Sequence, residues 1–219
     1  MEQSLLQNLQ GAIAALSWIE IWAVITGLIY VILAAREQIW CWFFGIISSA
    51  LSIYLFYTGQ LYAESILYVY YVVAGFYGWY AWKGRSKESV ATPPLQIHTW
   101  TVRNHLLALF IGSLLSLILA WGLARYTDAQ IPLLDSFTTI FSFIATYMVT
   151  RKVLENWLYW IVIDIVTSGM YFYRGFYLYA LLMVVYTLIA AIGYYQWKRL
   201  YDKDLNLYDD DRILDAGQI

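Results

Sequence analysis

Seven apolar runs follow one another along the chain, separated by shorter stretches that hold most of the charged residues. About 20 consecutive apolar residues cross the hydrocarbon core of a bilayer as one helix. The runs cover residues 19–35, 39–57, 63–82, 104–124, 135–150, 155–173 and 177–197, with each end set to within a few residues. The pattern therefore predicts an all-α integral membrane protein with seven transmembrane helices.

The composition excludes a soluble domain. Hydrophobic residues make up 62% of the 219 residues and charged residues only 13%, whereas an ordinary globular domain has about 25% charged residues. The net charge of −2 comes without a basic arm or patch, so nucleic acid is not an expected partner. The single cysteine, Cys41, excludes an intrachain disulfide.

The segments outside the apolar runs differ from one another in character. Residues 1–17 carry leucine and isoleucine at near-helical spacing and predict an amphipathic helix that lies at the membrane interface. Residues 84–103 contain Pro93 and Pro94 and predict a linker. Residues 199–219 are rich in aspartate and predict a solvated, mobile acidic tail.

Lysine and arginine are unevenly divided between the two sides of a seven-span protein. With the N-terminus outside, only two of the 13 fall on the outer side, Arg125 and Arg174. The inner side then holds Arg36, Lys83, Arg85, Lys87, Arg103, Arg151, Lys152, Lys198, Arg199, Lys203 and Arg212. Because cytoplasmic loops are enriched in Lys and Arg, we expect an outer N-terminus and a cytoplasmic linker and C-terminus.

An internal repeat supports the same count of spans. Shifting the sequence by 115 residues aligns residues 18–83 with residues 133–198 without a gap. The shift places Arg36 on Arg151, Trp42 on Trp157, Tyr62 on Tyr177, Tyr71 on Tyr186, Gly78 on Gly193 and Trp82 on Trp197. Two three-span copies with basic loops on the same side need one span between them, and residues 104–124 supply it. We therefore expect a 3+1+3 arrangement of parallel three-helix bundles.

Asp164 is the clearest candidate for a functional residue, because it lies near the middle of the sixth run and ionisable groups inside a membrane are costly. Trp160, Thr167 and Ser168 share its helical face. A carboxylate below an indole suits a flat organic cation, through Coulomb attraction and cation–π contact. The alternative is a structural Asp that is hydrogen-bonded to a neighbouring helix.

Other polar and aromatic positions could line the same cavity. Glu64 lies near the outer end of the third run, where it would attract cations to an entrance. Ser48 and Ser49 are equally well explained as contacts between packed helices. The remaining candidate ligands are Tyr30, Tyr68, Tyr71 and Tyr186. Five tryptophans are expected to be interfacial anchors instead of ligands: Trp18, Trp22, Trp79, Trp82 and Trp197.

Several activities lack their sequence signals. The chain has no GxxxxGK[ST] phosphate loop, which excludes an ATP-driven pump within this chain. It has no HExxH or GxSxG motif either. We therefore expect no catalytic residues, no metal ligands and no cofactor, and a protein that is not an enzyme.

Three short motifs resemble those of one known family, the PnuC-type vitamin transporters. They are LYA at 61–63, YGWYAW at 77–82 and ENWLYW at 155–160. The resemblance covers residues 18–200. It implies seven helices in the 3+1+3 fold, a homotrimer, and a facilitator in the bacterial inner membrane. Such a facilitator lets a dephosphorylated vitamin equilibrate until a cytoplasmic kinase traps it.

The resemblance also implies site residues and a substrate. Trp157, Trp160 and Asp164 fall on the family's binding motif in the sixth helix, and Tyr68 and Tyr71 on its third-helix part. The family's members carry nicotinamide riboside or, in the PnuT subgroup, thiamine, both flat permanent cations. Riboside carriers have Gln at the place of Tyr68 and Asn at the place of Asp164. These departures favour thiamine, with nicotinamide riboside as the alternative.

Two further alternatives stay open from the sequence. A membrane-embedded sensor or enzyme could bind the same ligand without moving it. A carboxylate such as Asp164 could also couple transport to protons, in place of facilitated diffusion.

Overall fold

The computed structural model describes residue 11 and residues 17–58, 62–83, 95–127 and 130–216, and it describes side chains there except at 62–64, 66 and 207–216. Seven helices run through these residues. They are α1 (Trp18–Ala35), α2 (Cys41–Thr58), α3 (Tyr62–Lys83), α4 (Val102–Tyr126), α5 (Pro132–Thr150), α6 (Asn156–Tyr173) and α7 (Tyr177–Ala216). Each predicted run coincides with one helix, and its start lies within three residues of the predicted one.

Local sequence signals explain where the helices begin. Ser17 accepts a hydrogen bond from the Glu20 backbone N–H at 3.2 Å, and the Glu20 carboxylate accepts one from the Ser17 backbone N–H at 2.7 Å. This capping box satisfies two N–H groups that a helix start leaves unpaired. The Thr101 side chain caps α4 by accepting a hydrogen bond from the Asn104 backbone N–H. Pro132 is the first residue of α5, a position whose backbone N–H has no partner within the helix in any case.

The helices pack as two groups of three with α4 between them along the chain. Helix α2 contacts α1 and α3, and α6 contacts α5 and α7, whereas α4 packs on α5. The two groups meet through α1 with α7 and through α3 with α5. Under the 115-residue shift α1 corresponds to α5 and α3 to α7, so these two contacts are equivalent.

The tight turns after α1 and α5 have the same backbone shape. Glu37 and Lys152 both have φ of 56°, and they are the only non-glycine residues with positive φ in the described part of the chain. This left-handed conformation is uncommon for residues that carry a Cβ. The two positions are also partners in the sequence shift, so both halves turn back in the same unusual way.

A matching pair of close contacts holds α2 on α3 and α6 on α7. A Cβ added at Gly78 would lie 2.4 Å from the Trp42 ring, and one added at Gly193 would lie 2.9 Å from the Trp157 ring. Each indole therefore lies directly against the bare backbone of the facing helix. Both glycines are required by close approach of a ring, since any larger residue would displace a buried indole.

One end of the molecule gathers the basic residues. Helices α1, α3 and α5 end there and α2, α4 and α6 begin there, as contacts between Glu37 and Lys152, Trp82 and Thr150, and Trp100 and Glu155 establish. Helix α7 continues beyond it. We call this end the basic end; among the described residues it carries Arg36, Lys83, Arg103, Arg151, Lys152, Lys198 and Arg199.

Five helices of the described chain are long and apolar enough to cross a membrane by length and composition: α1, α2, α4, α5 and the part of α7 up to Asn206. Helices α3 and α6 fall short because they are rich in tyrosine and tryptophan and carry Glu64, Asn156 and Asp164. These are the same two helices that hold most of the predicted site residues. The polar and aromatic residues that lower the hydropathy of α3 and α6 thus include the residues predicted to bind the substrate.

The expectations about the two terminal segments, the linker and Trp197 have different outcomes. The predicted interfacial helix at 1–17 lies outside the described residues apart from Gly11 and Ser17, and so does residues 84–94 of the linker. The acidic tail is helical as far as Ala216, and its predicted solvation and mobility stay a prediction. Trp197 was expected at the lipid interface but has no exposed surface, because its ring packs between the two helix groups.

Candidate substrate-binding site

Asp164 lies near the middle of α6, and only 7% of its surface is exposed. Within the described part of the chain its carboxylate has neither an ion-pair partner nor a hydrogen-bond donor in range. An ionised group in such surroundings is destabilised by several kcal/mol unless a counter-charge is supplied. The alternative of an Asp that is hydrogen-bonded to a neighbouring helix has no support among these residues.

Two tyrosines that the repeat makes equivalent lie near Asp164. The carboxylate acts electrostatically on the hydroxyls of both Tyr71, on α3, and Tyr186, on α7. Tyr71 shares a hydrogen bond with Ser142 on α5. The hydroxyl of Tyr186 lies where a Cβ on Gly27 of α1 would be 2.8 Å away. Each tyrosine thus reaches from the third helix of one group to the first helix of the other.

Two more tyrosines extend this set. Tyr30 on α1 lies against Gly45 of α2, where a Cβ would be 2.8 Å from its ring, and it lies near Tyr71 and Tyr186. Tyr68 stacks on Phe56 at a centroid distance of 5.2 Å and meets Tyr71 edge to face at 5.4 Å. The structure therefore brings together four predicted tyrosines, from α1, α3 and α7, and places two of them, Tyr71 and Tyr186, near the Asp164 carboxylate of α6.

The predicted serines have different surroundings. Ser48 donates to the Ala23 carbonyl at 2.8 Å, a contact between α2 and α1 of the kind that packs membrane helices. Its Oγ is nevertheless adjacent to Gly27 and hence to the Tyr186 hydroxyl. Ser49 is buried in α2. Ser168, on the predicted face of Asp164, donates to the Ala180 carbonyl at 3.0 Å and joins α6 to α7.

The two tryptophans of α6 are placed differently. Trp160 is partly buried and packs against Phe141, Ala145 and Ile163, one turn from Asp164. Trp157 is 1% exposed and meets Trp197 edge to face at 5.5 Å, towards the basic end. Its ring belongs to the packed core between the helices. Glu64 lies in α3, but its side chain is outside the described residues.

Sequence reasoning missed Ser142, the hydrogen-bond partner of Tyr71. The sequence held a signal for Ser142, because the 115-residue shift aligns it with Gly27. Ser142 on α5 and Gly27 on α1 therefore occupy equivalent faces of their helices. Ser52 of α2 was also absent from the predicted site, yet it shares a hydrogen bond with Tyr68. Hydroxyl groups at such positions are indistinguishable from packing contacts until their partners are known. No group of three or more potential metal ligands occurs among the described residues.

A family described as "nicotinamide mononucleotide transporter" matches residues 17–199 of the chain. The chain belongs to the PnuC-type vitamin transporter family. This confirms the resemblance seen in the short motifs, and it makes the protein a member of a family of membrane transporters.

Several named members of the PnuC-type family are similar to this chain. The nicotinamide riboside transporter PnuC of Escherichia coli (strain K12) is 30% identical over 204 residues, covering 83% of this chain and 85% of the relative. The protein of the same name from Neisseria mucosa is 30% identical over 196 residues, covering 84% of this chain and 73% of the relative. A riboflavin/roseoflavin transporter, RibM of Streptomyces davaonensis, is 24% identical over 181 residues, covering 82% and 84%.

A solved structure agrees with this assignment. The fold is similar to that in the crystal structure of the vitamin B3 transporter PnuC, with a TM-score of 0.71 and 26% identity over 91% of this chain and 90% of that one. Relatives of this chain are thus named as transporters of more than one vitamin. Thiamine is not named among them, so the preference for thiamine over nicotinamide riboside finds no support, and nicotinamide riboside is the better-supported substrate.

Proposed function

We propose that this protein carries nicotinamide riboside across the bacterial inner membrane by facilitated diffusion. The observation that carries the proposal is the buried carboxylate of Asp164, which has no partner within the described chain. Nicotinamide riboside supplies what that group lacks, because its pyridinium ring bears a permanent positive charge. Relatives named as nicotinamide riboside transporters support the same substrate.

The tyrosines around Asp164 suit the rest of this substrate. A ring cation gains from the faces of aromatic side chains, and Trp160 and Tyr71 are the rings we assign to that contact. Phenol and serine hydroxyls both donate and accept hydrogen bonds, as ribose hydroxyls and a carboxamide require. Riboside carriers have an amide at the place of Tyr68. Here the Tyr68 hydroxyl makes the hydrogen bonds to the substrate that the amide would make.

The arrangement in the membrane follows from the same pattern. We infer seven spans in a 3+1+3 order, with α4 as the inverter and the basic end in the cytoplasm. The equivalent contacts of α1 with α7 and α3 with α5 support two parallel groups. Rocking of these groups about the central site would expose Asp164 to each side in turn.

Facilitated diffusion only equilibrates the vitamin across the membrane. Because this chain has no phosphate loop for ATP, net uptake needs an energy source outside this chain. We infer that a cytoplasmic kinase traps the vitamin by phosphorylation, since the product with its added, negatively charged phosphate cannot return. We also infer assembly as a homotrimer, as the family resemblance implies.

Thiamine, riboflavin and nicotinamide riboside differ in the charge that they would bring to this site. Thiamine and the riboside are both cations, whereas riboflavin is neutral and makes no use of a carboxylate. Isothermal titration of the purified protein with each of the three separates them. We expect tight binding of nicotinamide riboside alone; tight binding of either other vitamin without the riboside would contradict the proposal.

Flux into liposomes decides between transport and sensing. The reconstituted protein should equilibrate labelled nicotinamide riboside across the bilayer in the absence of any ion gradient. Binding without flux would indicate a sensor. Accumulation above the outside concentration, driven by an imposed pH gradient, would indicate proton coupling in place of facilitated diffusion.

A further inference from the structure

Several contacts between described residues join the two helix groups at the basic end. Lys152 and Glu37 form an ion pair across the groups, with 11% and 28% of their side chains exposed. The two residues are partners in the sequence shift and share the left-handed backbone described above. An ion pair between equivalent positions lies on the axis that relates the two halves. It is therefore placed where any separation of the groups must pull it apart.

Four indoles cross the same region in a continuous row. Trp42 meets Trp82 at 5.3 Å and Trp157 meets Trp197 at 5.5 Å, both edge to face, while Trp82 and Trp197 are 6.1 Å apart across the groups. The row Trp42–Trp82–Trp197–Trp157 thus consists of two equivalent pairs. We call it the indole row.

The two central indoles also exchange hydrogen bonds between the groups. Trp82, on α3, donates to the Thr150 carbonyl of α5 at 3.2 Å, and Trp197, on α7, donates to the Ala34 carbonyl of α1 at 3.0 Å. The ammonium of Lys152 lies 4.9 Å from the centre of a Trp82 ring. Ion pair and indole row therefore form one connected unit.

The opposite end is joined differently. Among its described side chains, the Tyr179 hydroxyl of α7 donates a hydrogen bond to the Glu20 carboxylate of α1 at 3.1 Å, which links the groups. The ion pair of Arg174 with Asp135 lies within the second group, between α6 and α5. Among the described residues, the basic end thus combines an ion pair, two indole hydrogen bonds and a row of packed rings between the groups.

We propose that the Glu37–Lys152 pair and the indole row form the gate that closes the substrate site towards the cytoplasm. Opening breaks the ion pair and the two indole hydrogen bonds and moves α1 with α2 and α3 away from α5, α6 and α7. The assignment of the basic end to the cytoplasm rests on the proposed function and its topology. The closure itself rests on the contacts above.

The chain contains its own probe for this gate. Cys41, the single cysteine, has no exposed surface and packs in one cluster with Trp42, Trp157 and Trp197. Lys152 is near enough to act electrostatically on its thiol. A maleimide reaches Cys41 only when the gate region opens, so the rate of alkylation measures opening in the otherwise native protein.

The test compares alkylation of the purified, reconstituted protein with that of three variants. Glu37→Gln should raise the alkylation rate of Cys41 by about tenfold, the change expected on loss of one charge-assisted hydrogen bond. Exchange of both charges, Glu37→Lys with Lys152→Glu, should return the rate to within about threefold of the parent. Asp202→Asn is the matched control, because Asp202 pairs with Lys198 within α7 and not across the groups.

Unchanged alkylation in Glu37→Gln, or an equal rise in the Asp202→Asn control, would overturn the gate. If Glu37→Gln fails to fold, Trp82→Phe serves instead, since it keeps a ring but removes the hydrogen bond to Thr150. The assay contains no vitamin. Its result is therefore independent of the proposed substrate. Normal riboside flux with unchanged alkylation would remove the gate alone. Raised alkylation without any flux would remove the transport function alone.

Discussion

The chemistry of the site depends on one residue that the surrounding protein leaves uncompensated. Asp164 is buried in α6 without a donor or counter-ion in the described chain, while tyrosine hydroxyls from α3 and α7 lie close enough to sense its charge. Such a group is tolerated where function requires it, and we propose that it makes the site selective for positive charge. Its position in the middle of an apolar run was visible in the sequence, but its lack of a partner was not.

Replacing the carboxylate by an amide of the same shape tests this directly. Asp164→Asn should weaken binding of nicotinamide riboside by about tenfold or more, because interactions with charged groups contribute about 1.5–3 kcal/mol. Isothermal titration gives the dissociation constant. Asp202→Asn removes an exposed carboxylate elsewhere and should bind like the parent. An unaltered affinity in Asp164→Asn would remove this residue from the site.

Gly27 provides a second test at the same scale. A methyl group there would lie 2.8 Å from the Tyr186 hydroxyl and 3.1 Å from Ser48 Oγ, so Gly27→Ala must displace the tyrosine. We expect riboside affinity to fall about fivefold, equivalent to about 1 kcal/mol. Gly122→Ala, on α4 with no atom within 4 Å of the new Cβ, is the control and should bind normally. Equal affinity in both variants would place Tyr186 outside the site.

At the scale of elements, the helices are held by rings that fit against bare backbone. Trp42 against Gly78 and Trp157 against Gly193 are equivalent contacts, one in each group. The repeat in the sequence indicated that these four positions correspond, but it did not indicate that each pair is in contact. Trp157 was predicted as a ligand from the family motif; the structure places its ring in this packing, and its ligand role stays a prediction.

These contacts predict a loss of stability on adding a methyl group. Gly78→Ala and Gly193→Ala should each destabilise the protein by about 1–3 kcal/mol, as overpacking of a tight core does. The midpoint of thermal unfolding in detergent should fall in both. Gly169→Ala, on α6 with open space around the new Cβ, should leave the midpoint unchanged or raise it. A fall in all three variants would indicate a general effect of glycine replacement.

For the whole molecule, the distribution of charge and the packing agree on one arrangement. Helices α1, α3 and α5 end at the basic end, and α4 begins there through a contact of His105 with Tyr159 at 3.1 Å. Because α4 packs on α5 while running the other way, the two groups can be parallel. The positions of Lys and Arg indicate which end faces the cytoplasm.

Single introduced cysteines test this orientation in a Cys41→Ser background. Tyr126→Cys lies at the end of α4 opposite the basic end and Lys203→Cys lies beyond the basic end on α7; both residues are exposed. In intact cells whose outer membrane is permeable, a membrane-impermeant maleimide should label Tyr126→Cys, and should label Lys203→Cys only after the inner membrane is broken. The reverse pattern would invert the topology and move the proposed gate to the outer side.

The order of the helices, their approximate ends, the correspondence of the two halves and the side expected to face the cytoplasm could all be derived from the chain. Each depends on local quantities, namely the hydropathy of a run, the positions of Lys and Arg, and identities at a constant offset. The family followed from short motifs for the same reason. In contrast, three features arose only on folding: the isolation of Asp164, the pairing of Tyr71 with Ser142, and the closure of the basic end by Glu37, Lys152 and the indole row. They depend on contacts between residues that lie far apart in the sequence, and hydropathy does not record which faces of two helices meet.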